Sequence, residues 1–236
     1  MSTVAWITTR GLLGRRRFLL LLPLPVLMVA VALIPRLSGA SPEEWVQEVI
    51  VAMGFTTLLP VVALIVGTGV LGAEIDDGTI THILSKPIPR WRIVVPKLLV
   101  AIGVTAATAA VPFYIVGAIA SGPRLGLGIV VGSTVGAVIY STIFVALSLV
   151  SRRPVLLGLV YVIVWEGLLS NLVSGTRVLS VQQYALTIAD KASASPLLNN
   201  NVSLPVAVVM SIVVTVVFLV VAIRKLGSFS VTGETS

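Results

Sequence analysis

The chain has 236 residues, 57% hydrophobic and 11% charged, with mean hydropathy +1.09 and formal net charge +7. Soluble domains run at about 45–50% apolar and about 25% charged. A water-soluble globule, a disordered chain and a coiled coil are therefore excluded, and an integral membrane protein remains. With no cysteine, disulfides and thiolate metal sites are excluded too.

A bilayer core of about 30 Å asks for about 20 apolar residues in a helix. Six stretches answer to that length and predict an all-α, polytopic membrane protein. They are Phe18–Ile34, Val49–Ala73, Leu98–Ala120, Leu125–Val150, Val155–Leu172 and Leu204–Ile223. Glu166 interrupts the fifth. With the N-terminus inside, the cytoplasmic segments hold Arg10, Arg15, Arg16, Arg17, Lys86, Arg90, Arg92, Lys97, Arg152, Arg153, Arg224 and Lys225. The outside keeps only Arg36, Arg124, Arg177 and Lys191. Lysine and arginine are retained on the cytoplasmic side, so both termini are expected inside. The basic excess then reports topology and anionic lipid heads, not nucleic acid. Arg15–Arg17, the first apolar run and Ser38-Gly39-Ala40 also imitate a signal peptide. The run and its leader are longer than such peptides usually have, which favours a retained helix.

Between the spans, Pro35–Glu48 reads as a short acidic outer loop, and Gly122-Pro123-Arg124 and Ser151–Pro154 as tight turns. Val173–Ser203 lies outside. Its Thr176–Asp190 part mixes apolar and polar residues and reads either as an interfacial or re-entrant helix or as an ordinary loop helix. No internal repeat and no appended soluble module is evident. Residues 1–236 are thus expected to form one transmembrane domain, with a cytoplasmic segment 1–17, a cytoplasmic loop 74–97, an extracytoplasmic segment 173–203 and a cytoplasmic tail 224–236.

Most familiar motifs fall away on context. Gly67-Thr68-Gly69-Val70-Leu71-Gly72 spells GxGxxG, but it closes a membrane helix rather than opening one after a strand. No Walker A sequence and no HExxH is present, and His82 is the only histidine. No metal site and no catalytic residues are expected in this chain. Gly128, Gly132 and Gly136 recur every fourth residue, forming a ridge for helix packing within the subunit or across a dimer. Pro60 and Pro112 inside spans, and Pro23 and Pro25 near the start of the first, are expected to kink their helices.

Glu166 is the one ionisable residue well inside a span. One reading makes it a pathway or gating residue facing the protein interior or a water-filled cavity. The other places it near a helix end with its carboxylate in outside water. In the loop 74–97, Ile80, Ile83 and Leu84 share one face of a short helix that Pro87 stops. Such a stub suits docking into another protein's groove. Arg90, Arg92 and Lys97 read as head-group anchors, with Trp91 at the interface. A plain basic loop obeying the positive-inside rule is the other reading.

Glu74-x₃-Gly78-Thr79, then Leu84-Ser85-x-Pro87, then Arg90 and Lys97-Leu98-Leu99 resembles the loop between helices 2 and 3 of type-2 ATP-binding-cassette (ABC) permeases. Tyr161–Leu169, followed by Leu179–Tyr184, resembles the fifth span and outer segment of their small bacterial members. The stretch ending Gly14-Arg15-Arg16-Arg17 is similar to their cytoplasmic interfacial helix. The likeness covers nearly the whole chain. It implies a half-transporter in a bacterial inner membrane, pairing with a second permease subunit as a homo- or heterodimer above two cytoplasmic ABC ATPase subunits. ATP and Mg would then be bound by the ATPase partner and no cofactor by this chain. The resemblance assigns Glu74, Gly78, Thr79, Pro87, Arg90 and Lys97 to the ATPase-coupling region. In a mechanism where a central seam between two copies opens, Glu166 is expected near that seam's outer end. Asp76-Asp77 departs from the basic or mixed pair of many relatives. The alternative from another class is an ATP-independent protein, either a proton-coupled carrier using Glu166 or a membrane scaffold.

Overall fold

The computed structural model describes residues 21–76, 89–170, 174–195, 197–198 and 202–228. All regular elements there are helical, as the apolar stretches demand. In chain order they are α1 (Pro23–Ser38), α2 (Pro42–Val46), a π-helical segment Gln47–Leu58 and α3 (Leu59–Asp76). Next come α4 (Trp91–Ser121), α5 (Pro123–Val150), α6 (Pro154–Val160), a second π-helical segment Tyr161–Leu169, a 3₁₀ turn Ser174–Leu179, α7 (Val181–Ser193) and α8 (Leu204–Ser228).

Four of these are long and apolar enough to cross a membrane: Pro42–Leu71, Trp91–Ser121, Pro123–Val150 and Leu204–Gly227. The chain is an all-helical, polytopic membrane protein. Pro23–Ser38 and Pro154–Leu169 are shorter apolar helices. The expected acidic outer loop at Pro35–Glu48 is largely helix. Gly39, at φ +78°, caps α1, and Pro42 at the first turn of α2 starts the next helix with Glu43 and Glu44 beside it. Acidic side chains and proline both favour a helix start, so charge at this point marks a terminus and not a loop.

In the wide segment Gln47–Leu58, the hydroxyls of Thr56 and Thr57 reach back five residues, to the carbonyls of Val51 and Ala52, at 3.0 Å each. Ordinary α register resumes at Leu59–Pro60, where the proline has no N–H to donate. Gly54 lies here because Phe113 of α4 crosses it. An added Cβ would meet that ring at 2.6 Å, and Phe55 packs on the same ring with centroids 4.7 Å apart.

Helix α5 is the centre of the bundle, packed against α3, α4, α7 and α8, with α4 and α7 making its two largest interfaces. By contrast, α8 turns Val208, Val209, Ile212, Val213, Val216 and Val217 outward. In hydrocarbon such a face needs no partner, because lipid tails are as apolar as valine.

Candidate functional site: two buried charges and a seated helix

The fifth apolar helix is described through Ser170, and a 3₁₀ turn, Ser174–Leu179, leads into α7. Helix α7 lies antiparallel to the first half of α5, the half expected outside. A Cβ added to Gly128 would stand 2.5 Å from the Ser193 Cβ, and one on Gly136 would stand 3.2 Å from the Ala185 Cβ. At Gly132 it would press on the Ala185 carbonyl oxygen and stand 2.6 Å from the Ala189 Cβ. The glycine ridge is therefore occupied within this chain, by Ala185, Ala189 and Ser193, themselves four residues apart. Backbones approach this closely only where both sides are small.

The N-terminal end of α7 reaches the level of Tyr140, seventeen positions after Pro123, or about 25 Å along α5 at the helical rise. There it meets Glu166, which is fully buried. The Glu166 carboxylate accepts from the Tyr161 hydroxyl at 2.9 Å, the Ser180 hydroxyl at 2.5 Å, the Val181 N–H at 2.9 Å and the Gln182 N–H at 3.4 Å. Two of these donors are among the amides that an α-helix leaves unsatisfied at its start. Ser180, the N-cap, accepts in turn from the Gln183 N–H at 3.4 Å. The Ser170 hydroxyl donates to the Glu166 carbonyl and the Tyr184 hydroxyl to the Val178 carbonyl, closing the turn between the two helices. The Tyr140 hydroxyl stands beside the carboxylate and the Gln182 amide. Together with the Gln182 and Gln183 Oε1 atoms it has no hydrogen-bond partner among the described residues.

A second buried charge lies toward the other end of the bundle, the end expected to be cytoplasmic. Lys97 is 2% exposed and donates through Nζ to the Val70 carbonyl of α3 at 3.4 Å. It is not a head-group anchor. Helix α4 starts at Trp91, so Lys97 falls about one and a half turns inside it, on the face toward α3. Trp91 and Arg92 do lie outward, with the guanidinium 5.4 Å from the indole centroid. Arg90 is the N-cap of α4, its carbonyl accepting from Ile93 and Val94 at 3.0 and 3.1 Å. Glu74 lies in the last turn of α3. Gly78, Thr79 and Pro87 lie outside the described residues, as do the segment 1–17 and the end of the tail from residue 229.

Of the residues singled out from sequence, then, the three glycines sit together under α7, while Glu166 and Lys97 occupy separate joints. Sequence reading missed Tyr161 and Ser180 as partners of Glu166. On an ordinary helix, residues five apart point about 140° away from each other. The wide turns of Tyr161–Leu169 put them on one face. Ser180 and α7 were findable, because the Ala185–Ala189–Ser193 spacing repeats that of Gly128–Gly132–Gly136.

Residues 15–183 match the family model described as ABC-2 family transporter protein. No curated protein and no solved structure matches the chain. The match takes in well over half of the 236 residues, from before α1 to the first turn of α7, and so includes Lys97, the glycine ridge and Glu166 with its cage. The chain belongs to the ABC-2 transporter family. Membership makes it a multi-pass transport membrane subunit and implies association with an ATPase subunit.

Proposed function

We propose that this chain is the permease half of a bacterial ABC exporter of the cytoplasmic membrane. Two permease subunits, the same chain twice or this chain with a relative, pair above two cytoplasmic ATPases that bind ATP and Mg. The family match over residues 15–183 is the observation that carries this reading. Lys97 supports it physically: a lysine drawn under the end of span 2 ties the two helices that flank the cytoplasmic loop.

In this mechanism, nucleotide-driven closure of the ATPases moves the loop 74–97. Glu74, Gly78, Thr79, Pro87 and Arg90 belong to the transmitting region, and Lys97 passes its displacement from α3 to α4. A seam between the paired bundles then opens toward the outside or into the lipid, with Glu166 acting at the outer gate. The chain itself breaks no bond and binds no nucleotide.

Purification from the native membrane in mild detergent tests this. A stoichiometric P-loop ATPase is expected to co-purify, and Gly78→Pro, which breaks the stub expected from the sequence, is expected to lose it while the chain still inserts. A chain that arrives alone, under conditions that preserve known complexes, overturns the reading in favour of an ATP-independent carrier or scaffold.

A further inference from the structure

From the cage around Glu166 we infer that this carboxylate, in its charged form, is the latch that fixes the deep end of α7 to the fifth helix. The inference rests on the geometry of this chain alone and stands whatever the transported substrate or the ATPase arrangement.

Three observations converge on it. First, four groups bonded to the two carboxylate oxygens are placed as donors: the hydroxyls of Tyr161 and Ser180 and the amides of Val181 and Gln182. An ionised carboxylate accepts only, and its two oxygens can take several donors at once. A neutral acid or an amide would bring a donor of its own into this set. Second, the two amides belong to the first turn of α7, where the partial positive charge of the helix end lies. That end compensates an anion held away from water and supplies N–H groups that would otherwise be orphaned. Third, farther along α7 the tie to another segment is a neutral one, from the Thr187 hydroxyl to the Val202 carbonyl at 3.3 Å. Its long contact with α5 sets the small Ala185, Ala189 and Ser193 against Gly128, Gly132 and Gly136. Such a surface seats the helix, and the charge-assisted bonds at its end add the stronger hold on its register.

The anchoring side is itself held. Tyr161 and Glu166 are brought together by the wide helical turns, and Ser170 donates to the Glu166 carbonyl. The Trp165 indole donates to the Leu179 carbonyl at 3.3 Å, tying the 3₁₀ turn to the same helix. Releasing the carboxylate would leave the start of α7 with the Ser180–Gln183 cap, the Tyr184 and Trp165 bonds around the 3₁₀ turn, the Thr187–Val202 bond and its glycine seat.

Hydrogen exchange followed by mass spectrometry, on the full chain in lipid nanodiscs, reads the latch directly. In the wild type the Val181 and Gln182 amides should exchange as slowly as interior helix amides. Glu166→Gln keeps the shape and removes the charge. It is expected to speed exchange at those two amides by about tenfold or more, the scale of a lost hydrogen bond to a charged group, while α5 stays protected. Tyr161→Phe removes one donor, keeps both amides and the charge in place, and is expected to speed them by less, about threefold, the low end for one lost hydrogen bond. It serves where Glu166→Gln fails to insert. Wild-type exchange in Glu166→Gln overturns the charged latch, because a neutral acid is replaced by glutamine without loss of charge. So does wild-type exchange in Tyr161→Phe.

Discussion

Lys97 and Glu166 are both buried charges that join one helix to another, yet the two joints are built differently. At the cytoplasmic joint a lysine on a flexible four-carbon stem crosses from α4 to the Val70 carbonyl, at a long 3.4 Å. Such a stem can follow its acceptor over an ångström or more without breaking contact. At the outer joint a short glutamate stem is met by four donors at 2.5–3.4 Å from two directions, and the helix it holds lies on bare glycine. Here a small displacement breaks several bonds together. The bundle thus carries a compliant joint where motion is expected to enter and a stiff, multiply bonded joint where it is expected to be resisted.

Removing the seat should break the comparison most severely. Gly132→Leu drives a side chain into the backbone of α7 at Ala185 and Ala189, and nothing there is the far end of a flexible side chain. Overpacking of a tight interface costs about 1–3 kcal/mol, and this backbone-facing position belongs at the upper end. Thermal unfolding in detergent should show a large loss of stability, and transport should be lost with it. Leu127 faces outward from the same helix, so Leu127→Ala supplies the control and should leave both readouts nearly unchanged.

The compliant joint is probed by Lys97→Met, which keeps the apolar stem and deletes the ammonium. If the lysine carries displacement from α3 to α4, transport should fall by about tenfold, within the usual range of coupling energies, while the partner ATPase still turns over. Stability should change by about 1 kcal/mol, because the bond to the Val70 carbonyl is long. Equal loss of transport and of stability would make Lys97 a packing residue and remove the contrast between the joints.

How much of this was legible beforehand follows from the same two sites. The long spans were, because an apolar run of the right length has few alternatives in a membrane. The start of the second was misplaced: Glu43, Glu44 and Glu48 read as loop residues, yet acidic side chains at a helix start are stabilised by its dipole. The fifth stretch was legible as an apolar helix, but the partners of the glutamate inside it were not. Glu166 was the signal for them. A glutamate at this depth requires donors, and the nearest supply in the chain is a helix start. Whether the outer segment re-enters stayed open because its mixed polarity fits a loop helix equally well. The matched four-residue spacing of small residues on α5 and α7 shows where α7 seats only once the two ridges are set side by side. Lys97 was read with its basic neighbours as an anchor, because sequence counts charge but does not give the face on which it falls.

The smallest effect belongs to the other end of α7, and its sign distinguishes a strained terminus from a relaxed one. Ala194 follows the helix at φ +49°, the only non-glycine residue with positive φ among those described, and its N–H donates to the Asp190 carbonyl at 2.8 Å. A side chain in this left-handed conformation costs about 1–2 kcal/mol. Glycine removes that strain but loses about 0.5–1 kcal/mol through the greater freedom of its unfolded chain. Ala194→Gly should therefore stabilise the chain by about 0.5 kcal/mol, raising the midpoint of thermal unfolding by about 1–2 °C for a protein of this size. Exchange at the Val181 and Gln182 amides should not change, since the latch lies a full helix length away. If Ala194→Gly instead speeds those amides, α7 is held from both ends, and the outer joint is less polarised than its four-donor cage implies.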